Sequence, residues 1–223
     1  ILINFLIFYK KFIFNYYYKF LYYMTVINDN LINIILIIFI FAIGIKLYLE
    51  SDTFNLRCII SNVNGNKYCV RDRNKLHLAA DRLATINIRM NKLVLHVSKK
   101  YPNKDNVKRL VNGYNPKKIY ETLPTSEYTA YSENKGEKLA FCLDTEKNNN
   151  GKLIDINTLM YVALHELSHV ATKSIGHTEE FWDNFKFLIE ESKEIGIYNP
   201  VDYKKNNVKY CGMNITDNPF YDH

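Results

Sequence analysis

Between Asn74 and Lys100 the chain places apolar residues at Leu76, Ala79, Ala80, Leu83, Ile86, Met90, Leu93 and Val97. Steps of three and four put them on one face of an amphipathic helix, and Pro102 stands just past its expected end. A shorter helix is expected over 105–111, followed by the loop Gly113–Pro116. The period then changes. Lys118–Leu123, Tyr128–Ser132 and Lys138–Leu143 read as short strands, the last two joined by the turn Glu133-Asn134-Lys135-Gly136. Beyond the polar loop Asn148–Gly151, two more helices are expected, over 156–174 and 179–195. The pattern predicts an α+β domain over 74–223, its helices packed on a small antiparallel sheet, with 50–73 as a linker.

The first fifty residues follow a different rule. Residues 31–49, LINIILIIFIFAIGIKLYL, form a continuous apolar run. As a helix they rise about 28 Å, enough to cross most of a hydrocarbon core, and we expect a single-pass transmembrane anchor. A signal peptide would need a small-residue cleavage site just afterwards, and the chain there reads YLESDTF. Residues 1–30 form an N-terminal segment whose first Met is Met24, and residues 1–23 are rich in Ile, Leu, Phe, Tyr, Asn and Lys. A product starting at Met24 would carry no Lys or Arg before the anchor, whereas Lys46 and Arg57 follow it, which favours a domain facing the cytoplasm. With residues 1–23 counted, Lys10, Lys11 and Lys19 precede the anchor, and the same rule points to the lumen or exterior. The sequon at Asn214-Ile215-Thr216 distinguishes the two topologies.

Composition narrows the partners. Hydrophobic residues make up 48% of the chain, enough for a buried core as well as the anchor. The net charge of +6 comes from scattered lysines without a dense basic run, so a nucleic-acid surface is not indicated. Cys58, Cys69, Cys142 and Cys211 form no CxxC pair, which argues against a four-thiolate zinc site. Their even number permits two disulfides, but the spacing is irregular, and we favour reduced, mostly buried cysteines.

The chemistry concentrates at His165-Glu166-Leu167-Ser168-His169. Positions i and i+4 share a helical face, so both imidazoles can aim at one cation, for which neutral nitrogen donors suit Zn²⁺. Glu166 is placed to reach a metal-activated water and act as general base. The setting is consistent with such a helix: Asp155 stands as an N-cap, and Met160, Ala163, Leu167 and Val170 form a core stripe. A catalytic zinc needs a third protein ligand. His177 is the leading candidate, because Gly176 can close one helix and Thr178 can cap the next, leaving His177 in the turn between them. Glu190 and Glu191 are the rivals on the following helix. Phe181 and Trp182 are expected to pack the second helix beneath the site, and His77 and His96 to be ordinary helix residues.

The stretch HELSHVATKSIGHTEEFW resembles the motif of the WLM family of zinc metallopeptidases, related to the SprT/Spartan group. The family's HExxH, Gly-His pair and following aromatic fall on His165, Glu166, His169, Gly176, His177 and Phe181. From about Tyr128 to Pro219 the chain is similar to membrane-anchored WLM-like proteins of large DNA viruses. The resemblance implies a minimal zincin-like fold and a zinc-dependent endopeptidase with a polypeptide substrate lying along an edge strand, expected to be Lys138–Leu143. It also suggests a turn at Cys211-Gly212-Met213 beneath the zinc, against the plainer reading of a loop with a buried Met. Two other functions stay open: a non-catalytic membrane protein with a structural zinc site, and a protease acting on nucleic-acid-bound proteins. Oligomeric state is not legible.

Overall fold

The computed structural model describes residues 2–50, 56–147 and 152–222, so the expected loop 148–151 lies outside the described residues. The chain divides into two units, Ile1–Leu49 and Glu50–His223. In the first, one helix, α1 (Leu2–Glu50), contains the apolar stretch Asn30–Leu49. That stretch is long and apolar enough to cross a membrane, and a signal sequence near an N-terminus passes the same test. Its side chains are all exposed.

The second unit starts earlier than expected. The segment read as a linker contains two strands, β1 (Leu56–Ile60) and β2 (Lys67–Arg71), paired antiparallel. Tyr68 and Val70 are buried on alternate positions, and the connecting turn runs through Gly65 at a positive φ. The chain continues through α2 (Leu76–Lys100), α3 (Asp105–Gly113), β3 (Ile119–Glu121), β4 (Ala130–Glu133) and β5 (Lys138–Phe141). It then forms α4 (Ile156–Ala171), α5 (Glu179–Glu194), the hairpin β6 (Val208–Tyr210) and β7 (Met213–Ile215), and a last turn α6 (Pro219–Asp222).

The main sheet has the order β1-β2-β3-β5-β4. It is mixed, which corrects the expected antiparallel sheet. β2–β3 and β3–β5 are parallel, while β1–β2 and β4–β5 are antiparallel. The long excursion through α2 and α3 is the crossover that a parallel β2–β3 pair requires. A second correction follows from the order. β5 is an interior strand, and the edges of the sheet are β4 on its side and β1 on the other.

The core joins the apolar stripe of α2 (Ala79, Leu83, Ile86, Met90, Leu93, Val97) to the inner faces of α4 and α5. The cysteines are paired, contrary to expectation: Cys58 with Cys69 across the β1–β2 ladder, and Cys142 with Cys211. Cys58 and Cys69 are direct cross-strand neighbours, and the second bridge ties the β6–β7 hairpin to the end of β5. Neither contact is visible until strand register is known.

Candidate metal centre

α4 is started by Asp155, whose carboxylate accepts a hydrogen bond from the Thr158 backbone N–H at 2.9 Å. Met160, Ala163, Leu167 and Val170 are buried along one stripe. α4 packs against α2, α3, α5 and β4, so its position is fixed from several sides. After Ala171, a seven-residue bridge, 172–178, leads to α5. Gly176 takes φ 84° in that bridge, a conformation that glycine adopts without a Cβ clash.

The bridge brings His177 back onto α4. Ring centroids are 5.0 Å apart for His165–His169, 4.9 Å for His165–His177 and 4.9 Å for His169–His177. The three rings thus form a nearly equilateral triangle. Each offers one ligand nitrogen within 4.8 Å of the others, and the Nε2 atoms of His165 and His177 are 3.0 Å apart. Two nitrogens that close repel unless one carries a proton or a cation lies between them. Three imidazoles at normal bond lengths around tetrahedral Zn²⁺ would stand about 3.3 Å apart, so the donor set and its spacing fit such an ion.

Phe181, on the first turn of α5, forms the apolar floor. It is fully buried, with its ring 4.9, 4.4 and 4.6 Å from those of His165, His169 and His177. Phe185 adds a contact to His165 and Trp182 one to His177. Burial lowers His165 to a pKa of about 3, with smaller contributions from His169 and His177. His169 is lowered to about 4, again mainly by burial. Both rings are therefore neutral at ordinary pH, as metal donors must be.

Glu166 is 5% exposed and accepts no hydrogen bond from any described residue. Burial pushes its carboxyl up to about 8. Tyr210 lies close enough for that carboxylate to help hold its phenol above the ordinary range, after the larger effect of burial. The Tyr210 hydroxyl donates to the Thr129 carbonyl at 3.2 Å, just ahead of β4.

The rival third ligands are engaged elsewhere or exposed. Glu191 is 2.8 Å from His96 Nε2, 3.0 Å from Lys100 Nζ and 2.7 Å from the Tyr101 hydroxyl. Lys100 supplies the positive charge among His96, Glu191 and Glu194, so that group is an ion-pair cluster. Glu190 is exposed, and so is His77. Met213 is 51% exposed and opens β7, so neither the turn under the metal nor the buried loop Met describes it. The cushion beneath the histidines is Phe181.

Sequence reasoning missed three residues around the bridge: Arg109, Lys135 and Glu180. Glu180 was legible only as an acid near the start of α5, and no local pattern marks the other two, because their partners lie 34 to 71 positions away.

The chain is 32% identical over 191 residues to uncharacterized protein R325 of Acanthamoeba polyphaga mimivirus, covering 84% of this chain and 95% of that protein. It belongs to the family of that viral protein. Shorter stretches match uncharacterized protein 136R of Invertebrate iridescent virus 6 and uncharacterized protein 042R of Invertebrate iridescent virus 3. The first is 34% identical over 34% of this chain and 41% of the relative; the second is 43% identical over 26% and 36%. No family model and no solved structure matches the chain.

Proposed function

We propose that this chain is a membrane-anchored, zinc-dependent endopeptidase of the WLM type, with His165, His169 and His177 as metal ligands and Glu166 as the catalytic acid–base. The observation that carries the reading is the triangle of three imidazole rings, drawn from one helical turn and a separate bridge, beside a buried carboxyl. A cation held there supplies Lewis acidity towards a peptide carbonyl and acidifies water.

The chain's own residues do the rest. An extended substrate aligns along β4, the free edge of the sheet next to α4. The Glu166 carboxylate takes a proton from the attacking water as the new C–O bond forms, and delivers it to the leaving amide nitrogen as the C–N bond breaks. Its buried position beside the histidines, shielded from bulk water, suits Glu166 to holding that proton between the two steps. A purely structural zinc site would have no use for a carboxyl in this position.

The paired cysteines favour a domain that matures on the oxidising side of the membrane rather than in the cytoplasm. The test uses the full chain in detergent, assayed for zinc content and for casein cleavage beside Glu166→Gln. The variant is expected to keep its zinc and lose at least a hundredfold in rate. Undiminished cleavage would overturn the role of Glu166, and a zinc-free wild type would overturn the site.

A further inference from the structure

The third ligand is carried by a bridge that has no regular structure of its own, yet the backbone of its first half, 172–174, is held at every residue. Arg109 Nε donates to the Ala171 carbonyl at 2.7 Å, and its terminal nitrogen donates to Glu180 at 2.7 Å. Glu180 reaches back to accept from the backbone N–H groups of Lys173 (3.2 Å) and Ser174 (3.5 Å). Lys135 Nζ donates to the carbonyls of Thr172 (2.8 Å), Ser174 (2.7 Å) and His169 (3.2 Å). Asn184 donates to the Thr172 hydroxyl at 2.9 Å from within α5.

These anchors come from three separate places: α3, the β4–β5 turn and α5. Their common targets are the last turn of α4 and the first half of the bridge, 172–174. The second half, Ile175-Gly176-His177, has fewer anchors, and Ile175 is 91% exposed. Fixing 172–174 therefore limits where His177 can land. Without the anchors, six backbone groups near the end of the metal helix, the N–H of Lys173 and Ser174 and the C=O of His169, Ala171, Thr172 and Ser174, would turn to water and the bridge would gain conformational freedom.

We propose that Lys135, Arg109 and Glu180 are positioning residues for the metal centre: they clamp the bridge so that His177 is preplaced to complete the ligand triangle. Lys135 acts as a cationic cap on the C-terminus of α4, where the helix dipole and the unpaired carbonyls both favour positive charge. Glu180 acts as an anionic cap on two bridge amides and is itself oriented by Arg109. The proposal rests on the three-histidine site described above.

The experiment measures Zn²⁺ affinity of the full chain in detergent by chelator competition for wild type, Lys135→Met, Lys135→Arg, Glu180→Gln, His177→Ala and the double variant Lys135→Met/His177→Ala. Lys135→Met and Glu180→Gln are expected to weaken zinc about 10- to 100-fold, as loss of a ligand's supporting contacts does, and Lys135→Arg to recover most of it. In the His177→Ala background, Lys135→Met is expected to add less than about threefold, because the ligand it positions is gone. Hydrogen exchange on the metal-free proteins gives a second readout: the Lys173 and Ser174 amides should exchange faster in Glu180→Gln while the α4 interior stays protected. Full, additive weakening in the double variant would overturn the proposal, since it would mark a general loss of stability. So would unchanged affinity in both single variants. A wild type that binds no zinc, with bridge amides still protected, would instead sink the metal reading and leave the clamp standing.

Discussion

At the scale of single residues, the site holds its titratable groups in unusual states. His165 and His169 are lowered from an ordinary 6.5 to about 3 and 4, and Glu166 is raised from 4.5 to about 8. In metal-free protein these shifts act on stability with opposite signs. Below pH 6.5 the unfolded chain takes up protons on the two histidines that the native state refuses, so stability falls as pH drops towards 4. Above pH 4.5 the unfolded chain releases the Glu166 proton that the native state keeps, so stability falls as pH rises through 8. Glu121, raised to about 7 chiefly by burial beside Arg71 and Arg73, adds to the alkaline loss. The chelated protein should therefore be most stable on the acidic side of neutral. Urea midpoints measured from pH 5 to pH 8 are expected to decline for wild type and to decline less for Glu166→Gln, which cannot ionise. Parallel slopes for the two proteins would contradict the buried, proton-retaining carboxyl.

At the scale of elements, the helices were legible and the sheet was only partly so. The stripes of α2 and α4 survive in the structure position by position, because a 3.6-residue period with clear caps leaves few alternatives. β1 and β2 were passed over because each is five residues long and carries charges, although Asn64-Gly65 between them is a hairpin signal. Parallel pairing could not be read at all, since strand order is a tertiary property. In the site, the pair on α4 was fixed by spacing, whereas the choice of His177 over Glu191 depended on where the bridge folds. The strand order also sharpens the reading of the edge. Ala140 and Cys142 face β4, because Leu139 and Phe141 bond to β3 and the Cys142 N–H donates to Thr129. Tyr131 opposite Ala140 therefore bonds inward, while Ala130 and Ser132 turn their backbone groups outward. Ala130→Pro should remove one outward N–H and lower kcat/KM by up to about tenfold with zinc content unchanged, the loss of one substrate hydrogen bond. Equal activity would move the substrate off β4.

The turn that carries Lys135 is seated by two glycines. A Cβ on Gly113 would meet the Lys135 carbonyl oxygen at 2.3 Å and Val170 at 2.7 Å, and one on Gly136 would meet the Gly113 carbonyl at 2.7 Å. The end of α3 and the β4–β5 turn thus touch through bare backbone, with the Val170 side chain of α4 set against both glycines. Gly113→Ala is expected to destabilise by about 1–3 kcal/mol in chemical denaturation, by forcing these three elements apart. A neutral substitution would show that the contact is slack.

At the scale of the whole molecule, the disulfides bear on which side of a membrane the folded unit works. Cys142–Cys211 closes 69 residues and Cys58–Cys69 closes 11. On a chain-entropy view these contribute roughly 4 and 3 kcal/mol respectively. The longer bridge matters more for function too, because it holds Tyr210, the neighbour of Glu166, at the head of the β6–β7 hairpin. Bonds of this kind persist where thiols are oxidised, and the apolar stretch Asn30–Leu49 is long enough either to cross a membrane or to serve as a signal sequence. Asn214, in the one Asn-x-Thr/Ser sequon, is exposed on β7 and open to a glycosyltransferase. Full chain translated with microsomes is therefore expected to show no maleimide-reactive thiol until reduced, to resist external protease, and to lose mass on endoglycosidase treatment unless Asn214 is replaced by Gln. Four reactive thiols on a protease-accessible domain would return it to the cytoplasmic side. In that case the fold would have to stand without its bridges, and the catalytic assay would belong under reducing conditions.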